Sequence, residues 1–348
     1  MSTRLRIHWA LPVDAKSNGK EAQADHSGQV DLDKLVRFVR QADESPIESL
    51  LTPFGFHMPD PFPLLGMLSQ VSHRVKYLLA YRPGLMSPTL FVQQVNTLSQ
   101  ILTERLMLNI VAGFSPEEQK YYGDHLTHDE RFERSLEFLE IANLLWNHDY
   151  PLNHQGKHYH LEGARLNTQF AGGRPRIYLS GNSKIARSQA AEQADGWLRY
   201  GDTVEALATV IQGLPARRKF TVGLRMSIVS GKTRSQALER AGKVIANPDE
   251  DWKKFLRDFV SRSDSQAVKN TFSLADRSTN DWIGPHLWTG AVPYRGGPAL
   301  AIVGSYDDVA QELLRYHRIG VDEFILSGWP TEDELDRFTH EIYPRIYA

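Results

Sequence analysis

The sequence predicts a closed (β/α)8 barrel built from a single domain, residues 1–348. Three observations lead there. Eight short runs rich in β-branched and aromatic residues recur along the chain, each followed by a longer segment of helical period. Strict alternation of this kind implies parallel strands joined by right-handed helical crossovers. The first strand runs out through "HWALPVD", which holds no glycine, so the glycine-rich dinucleotide turn expected of an open doubly wound sheet is missing. Eight units in a chain of this length suit a barrel with insertions.

The elements follow in order. The first strand, 4–12 (RLRIHWALP), places Leu5, Ile7, Trp9 and Leu11 on one face for the helices, which points His8 and Ala10 into the barrel. A helix over 32–44 leads to the strand 49–55 (SLLTPFG), and a helix over 60–72 to the strand 75–83 (VKYLLAYRP). Helix 88–102 precedes strand 105–113 (RLMLNIVAG), and helix 128–147 closes the first half. Residues 148–175 interrupt the repeat as a hairpin or excursion before the fifth strand, 176–181 (RIYLSG). Helix 183–194, strand 196–201 (GWLRYG) and helix 203–215 bring the chain to the seventh strand, 220–229 (FTVGLRMSIV). After helix 233–245 comes a long insertion, 246–304, expected to act as a lid or binding loop. Helix 305–319, strand 323–328 (EFILSG) and helix 332–342 complete the set.

Composition narrows the function classes. Apolar residues at 41% supply a large core, and 40 basic against 42 acidic residues give no electrostatic reason to expect nucleic acid or an anionic membrane as a partner. Cysteine is absent, which excludes disulfides, thiolate zinc sites and cysteine nucleophiles. No run approaches membrane-spanning length and "MSTRLRIHWALPVD" lacks a signal-peptide core, so a soluble cytoplasmic protein is the expectation.

Barrel enzymes carry their chemistry at the C-terminal strand ends, and those ends name the candidates. In the seventh strand Val222, Leu224, Met226 and Ile228 form the helix-facing side, leaving Gly223, Arg225 and Ser227 for the lumen. A charge there is costly unless paired or used, so Arg225 is either half of a buried ion pair or an anion site. His8 is either a pocket residue or a hydrogen-bonded core histidine. His57 and Met58 sit in "PFGFHMPDPF" above the mouth; the third strand ends at Arg82–Pro83, the fourth carries Asn109, and the eighth runs into Ser327–Gly328–Trp329–Pro330. "SGNSK" places Gly181, Asn182 and Ser183 at a helix start, either as a plain cap or as a phosphate cradle. "LWTGAVPYRGGPALAIVG" sets a lone Arg295 before two glycines at the end of the insertion.

Two motifs lead nowhere. "VSGKT" (229–233) looks like the end of a P-loop, yet Met226 occupies the position of its first glycine. His154, His158 and His160 in "HQGKHYH" alternate along a hairpin strand without a suitably placed carboxylate, so no metal is expected.

Taken together, the chain resembles the bacterial luciferase-like flavin monooxygenases, in particular their alkanesulfonate monooxygenase branch. The likeness spans nearly the whole sequence through "HWALP", "YRPGLMSPTL", "LNIVAG", "HDERFE", "GKHYHLEGARL", "YLSGNS", "AAEQAD", "GLRMSIV", "LWTG", "YRGG" and "GVDEFILSG". The resemblance implies a (β/α)8 barrel with insertions. It implies FMN, reduced by a separate NAD(P)H-dependent flavin reductase, which with dioxygen oxygenates a small organic substrate. It also implies a homodimer or homotetramer. Gly181, Asn182 and Ser183 match the family's phosphate turn, while Asn109 and Phe132 match flavin-lining positions, with phenylalanine where tyrosine is usual. Arg225 and Arg295 match arginines thought to hold a sulfonate or a peroxide anion, Arg295 on a closing loop for which the two glycines would be the swing point.

Three departures bear on the substrate. Met58 stands where the alkanesulfonate enzymes have a cysteine near the flavin, Ser227 where they have a histidine, and Trp329 where they have a tyrosine. The leading expectation is therefore oxygenation of an organosulfur compound or a ketone-bearing biosynthetic intermediate, in the latter case by Baeyer–Villiger-type insertion. Release of sulfite and aldehyde from alkanesulfonates is the alternative, and a non-catalytic flavin- or ligand-binding relative is the third reading.

Overall fold

The structure is a computed structural model that describes residues 4–13, 30–113, 115–214, 220–247 and 249–347. Position 215 of the helix expected over 203–215, position 248 of the insertion and both ends of the expected 1–348 domain lie outside the described residues. Eight parallel strands close into a barrel: β1 (Arg6–Ala10), β2 (Ser49–Thr52), β3 (Lys76–Tyr81), β4 (Leu106–Ile110), β5 (Arg176–Ser180), β6 (Gly196–Tyr200), β7 (Thr221–Arg225) and β8 (Glu323–Leu326). Each lies within one of the eight expected runs, and the ring order is the chain order, β8 pairing with β1.

The period of two sorts the side chains. Leu50, Tyr77, Leu79, Leu108, Ile177, Trp197, Leu224 and Phe324 face outward and join the helices in one buried apolar cluster. Trp9 packs there on Phe338, with ring centroids 5.6 Å apart. Inside the ring, Leu51, Leu78, Ala80, Met107, Tyr178, Leu198 and Ile325 form a second cluster that fills the lumen. Each fully buried aliphatic or aromatic side chain contributes on the order of 1.5–3 kcal/mol. Helices begin where the chain supplies an oxygen for the free N–H groups: Asp31, Ser87, Thr127, Ser183, Thr203 and Ser305 all cap in this way.

The excursion before β5 is a hairpin of antiparallel strands Leu152–Gln155 and His160–Ala164. Its three histidines serve three different purposes. His154 bonds Glu137 at 3.0 Å, His160 bonds Glu162 at 3.1 Å, and the backbone N–H of His158 donates to Glu137.

The strand expected over 220–229 is two strands. β7 ends at Arg225, Met226 donates to the Ile325 carbonyl, and Ser227–Gly231 starts a separate four-stranded sheet. The insertion is correspondingly more than a loose cap. It holds helices Glu250–Ser261 and Gln266–Arg277, short strands Trp282–Ile283 and Leu287–Trp288, and the buried strand Ala301–Ser305, which pairs in parallel with Ser227–Gly231. Its far side reaches across to the helices that follow β4: Asp264 pairs with the buried Arg131 of His128–Trp146, and Arg262 meets Glu117 at 3.4 Å.

Candidate active site

The N-terminal half of the lumen is a closed ionic lattice. Glu323, fully buried, binds Arg6, Arg176 and His8, and the other ring nitrogen of His8 meets Ser49 Oγ at 2.7 Å. Burial opposes ionisation of Glu323, but the hydrogen bond and charge of His8, then Arg6 and Tyr178, outweigh it and hold the carboxyl well below its usual range. A cavity of about 330 Å³ at this end is lined by Arg6, His8, Lys76, Arg176 and Tyr178. His8 therefore stands apart from the residues at the opposite mouth, hydrogen-bonded to Glu323 and Ser49. The reason is register: His8 lies beside Ile325 and Ser49, below the strand ends.

At the C-terminal mouth, β4 and β5 bring one group of candidates together. Ser180 Oγ donates to Asn109 Oδ1 at 2.6 Å, which fixes the Asn109 amide and turns its N–H groups away from Ser180. The chain then bends at Gly181, whose φ of +141° suits glycine, and a Cβ there would stand 2.8 Å from Cβ of Ala186 and 3.7 Å from Phe132. Ser183 caps the helix Lys184–Gln193 by accepting from the Ala186 N–H. The first-turn N–H groups of that helix have no intrahelical acceptor and carry the positive end of its dipole. Asn182 adds a buried Oδ1 that has no partner among the described residues. Asn109, Phe132, Gly181, Asn182 and Ser183 thus form one arc.

A second group lies where β7 and β8 end. One Nη of Arg225 donates to the Met226 carbonyl (2.8 Å), the Ile325 carbonyl (3.3 Å) and Ser327 Oγ (3.0 Å). Ser227 lies just past the strand break. Its hydroxyl bonds Ser327 Oγ at 2.8 Å and the Pro298 carbonyl at 2.9 Å, tying β8 to the insertion. Arg295 lies over the buried indole of Trp329. The two following glycines have separate tasks. Gly296 has φ +79°, and Gly297 leaves room for Tyr200, whose Cε2 would stand 2.4 Å from an added Cβ. Backbone conformation accounts for Gly296, and close packing accounts for Gly297.

The loop after β2 carries His57 and Met58 in a turn closed by the Met58 N–H on the Gly55 carbonyl at 3.0 Å. Glu118 pins this loop: one oxygen accepts from the Phe56 N–H at 3.0 Å and the other binds Arg82 Nη2 at 2.8 Å. Arg82 is 3% exposed, and sequence reasoning named it only as a strand end. Its signal was the alternation Lys76, Leu78, Ala80, Arg82 along the lumen face. Glu118 sits on a short helix, Pro116–Tyr121, that the sequence reading did not place, although Ser115, Pro116 and two acids spell a helix start. Tyr200, which no motif marks, ends β6. Burial pushes its phenol up, while Arg225 and Arg82 pull it back, so both guanidiniums act on one hydroxyl.

A family model described as luciferase-like monooxygenase matches residues 7–323. The chain belongs to the luciferase-like monooxygenase family. Membership makes it a flavin-dependent monooxygenase. Solved structures of similar fold include DmoA from Hyphomicrobium sulfonivorans, 18% identical over 100% of this chain and 88% of that one, with a TM-score of 0.80. The EDTA monooxygenase EmoA from Chelativorans sp. BNC1 is 18% identical over 99% and 93%, at 0.78. The oxygenating constituent of 3,6-diketocamphane monooxygenase from Pseudomonas putida, a type II Baeyer–Villiger enzyme in complex with FMN, is 17% identical over 99% of both chains, at 0.67. Among the described residues of this luciferase-like chain, no helix is long and apolar enough to cross a membrane.

Proposed function

We propose that the chain is the oxygenating component of a two-component system. Reduced FMN arrives from a separate NAD(P)H-dependent reductase, and a small organic substrate other than a simple alkanesulfonate takes up one atom of dioxygen. The observation that carries this reading is the arc from Asn109 to Ser183. The Gly181 bend is a cradle that a Cβ would fill, Asn182 offers a buried oxygen without a partner, and a helix N-terminus stands beside them. The free N–H groups of that turn fit the phosphate of a flavin, and the Asn182 oxygen, an acceptor, suits one of its hydroxyls.

Bound reduced FMN supplies the electrons that activate dioxygen. The chain's own residues do the rest. Ser183 and the first turn of helix Lys184–Gln193 hold the phosphate, Asn109 offers its amide N–H groups to the ring system, and Phe132 flanks the turn. Arg225, oriented by Ser327 and two backbone carbonyls, presents a permanent positive charge to an anion on the oxidant or the substrate. Trp329 under Arg295 keeps water from the mouth.

The alternative, release of sulfite and aldehyde from alkanesulfonates, draws on the same two arginines. One experiment separates them. FMN binding is followed by flavin fluorescence, and turnover is assayed with reduced FMN, dioxygen and parallel panels of ketones, thioethers and short alkanesulfonates. Oxygenated ketone or thioether without sulfite supports the proposal, and robust sulfite release rejects it. Arg225→Ala is expected to lower turnover by about 100-fold or more, the scale of one lost charge-stabilising donor, with the fold intact by circular dichroism.

A further inference from the structure

The mouth contains a second buried guanidinium, and its geometry is one-sided. Arg82 Nη2 is held by Glu118, itself 1% exposed, whose other oxygen is taken by the Phe56 N–H. Arg82 Nη1 is buried and has no partner among the described residues. An unmade hydrogen bond of this kind is destabilising in a buried site. The guanidinium carbon lies 5.2 Å from the centroid of the Phe54 ring, which packs on the apolar cluster of the lumen. β3 and β7 stand opposite each other in the ring, so Arg82 faces Arg225 across the mouth with Tyr200 within the field of both.

We propose that Arg82 Nη1 is a substrate-recognition donor and that it takes a neutral carbonyl-type oxygen. The pairing with Glu118 already balances the charge of Arg82. An anionic head group at Nη1 would lie next to the Glu118 carboxylate in a dry site, where like charges repel strongly. A ketone oxygen satisfies the donor without that repulsion, and the flanking ring of Phe54 suits its hydrocarbon body. Phe54, half-buried at the rim, is the side chain that yields as the oxygen enters. This inference rests on the proposed function and names its substrate class.

The test uses full-length protein saturated with FMN and three probes sharing one ring: cyclohexanone, cyclohexanecarboxylate and cyclohexanesulfonate, with binding read from tryptophan fluorescence and thermal shift. Wild type should bind the ketone more tightly than either anion. Arg82→Lys keeps a cation toward Glu118 but removes the second N–H edge, and should weaken the ketone by about tenfold or more, with FMN affinity within about twofold of wild type. If Arg82→Lys melts early, Arg82→Gln with Glu118→Gln removes both charges together and should show the same loss. The proposal is overturned if the variants bind cyclohexanone like wild type, if wild type prefers the anions or ignores the ketone, or if FMN affinity is what falls. Failure of wild type to bind FMN at all would instead remove the proposed function.

Discussion

The guanidinium of Arg295 lies over the ring of Trp329, 5.2 Å from its centroid. A cation on an indole face contributes about 0.5–2 kcal/mol, more as water is excluded. The contact joins the insertion to the end of β8, and it gives a tryptophan at this position a purpose beyond bulk. Arg295→Ala is expected to raise the share of hydrogen peroxide released without product, and Trp329→Ala to do the same. Trp329→Phe, which keeps a weaker face, should fall between. Peroxide yield per flavin oxidised checks this, and unchanged coupling in all three variants would remove the sealing role.

Gly297 supplies a sharper test of how the insertion sits. An alanine Cβ there would meet the Tyr200 ring at 2.4 Å, far inside contact distance. Gly297→Ala should therefore cost about 1–3 kcal/mol of stability, as overpacking does. Tyr200→Phe should give no relief, because the clash is with ring carbons rather than the hydroxyl, whereas Tyr200→Leu should recover part of the loss. Urea melts of the two double variants distinguish these outcomes.

Glu323 makes the barrel's stability depend on acid. Its carboxyl is held below the ordinary value of 4.5 in the folded chain. The stabilisation is therefore fully present above that value and is lost as pH falls through the lower folded one. Glu323→Gln leaves Arg6 and Arg176 without their shared carboxylate and should cost about 3–5 kcal/mol at neutral pH. Denaturant melts from pH 7 downward should show the gap between wild type and variant narrowing once pH drops below the ordinary carboxylate range. A gap independent of pH would mean that the charge on Glu323 is not what stabilises the lattice.

Much of the fold was legible because strand period and helix period are local properties. All eight barrel strands fall inside runs that alternation picks out. The break at Met226 was not legible. Met226 and Ile228 continue the apolar face of Val222 and Leu224 without interruption, and only the pairing partners, Ile325 on one side and Leu300 on the other, show that the sheet changes. The arc proposed for the flavin was readable through "SGNS", since a glycine followed by a cap is written in sequence. Arg82 with Glu118 was not, because a residue on β3 and one on a six-residue helix meet only after the barrel closes. His8 shows the complementary limit: period two reveals that a side chain faces inward but not how deep it lies.

The change of sheet at Met226 has an engineering consequence. The strand Ser227–Gly231 leaves the barrel and Ala301–Ser305 returns beside it, hydrogen-bonded along its whole length. Everything between them is strung from two neighbouring posts that are themselves buried. The helices over 249–277 and the turns after them form an exchangeable cassette. A shorter or longer segment from another barrel of this kind, if it keeps a carboxylate for the buried Arg131 in place of Asp264, is graftable onto the same posts and alters what the mouth admits.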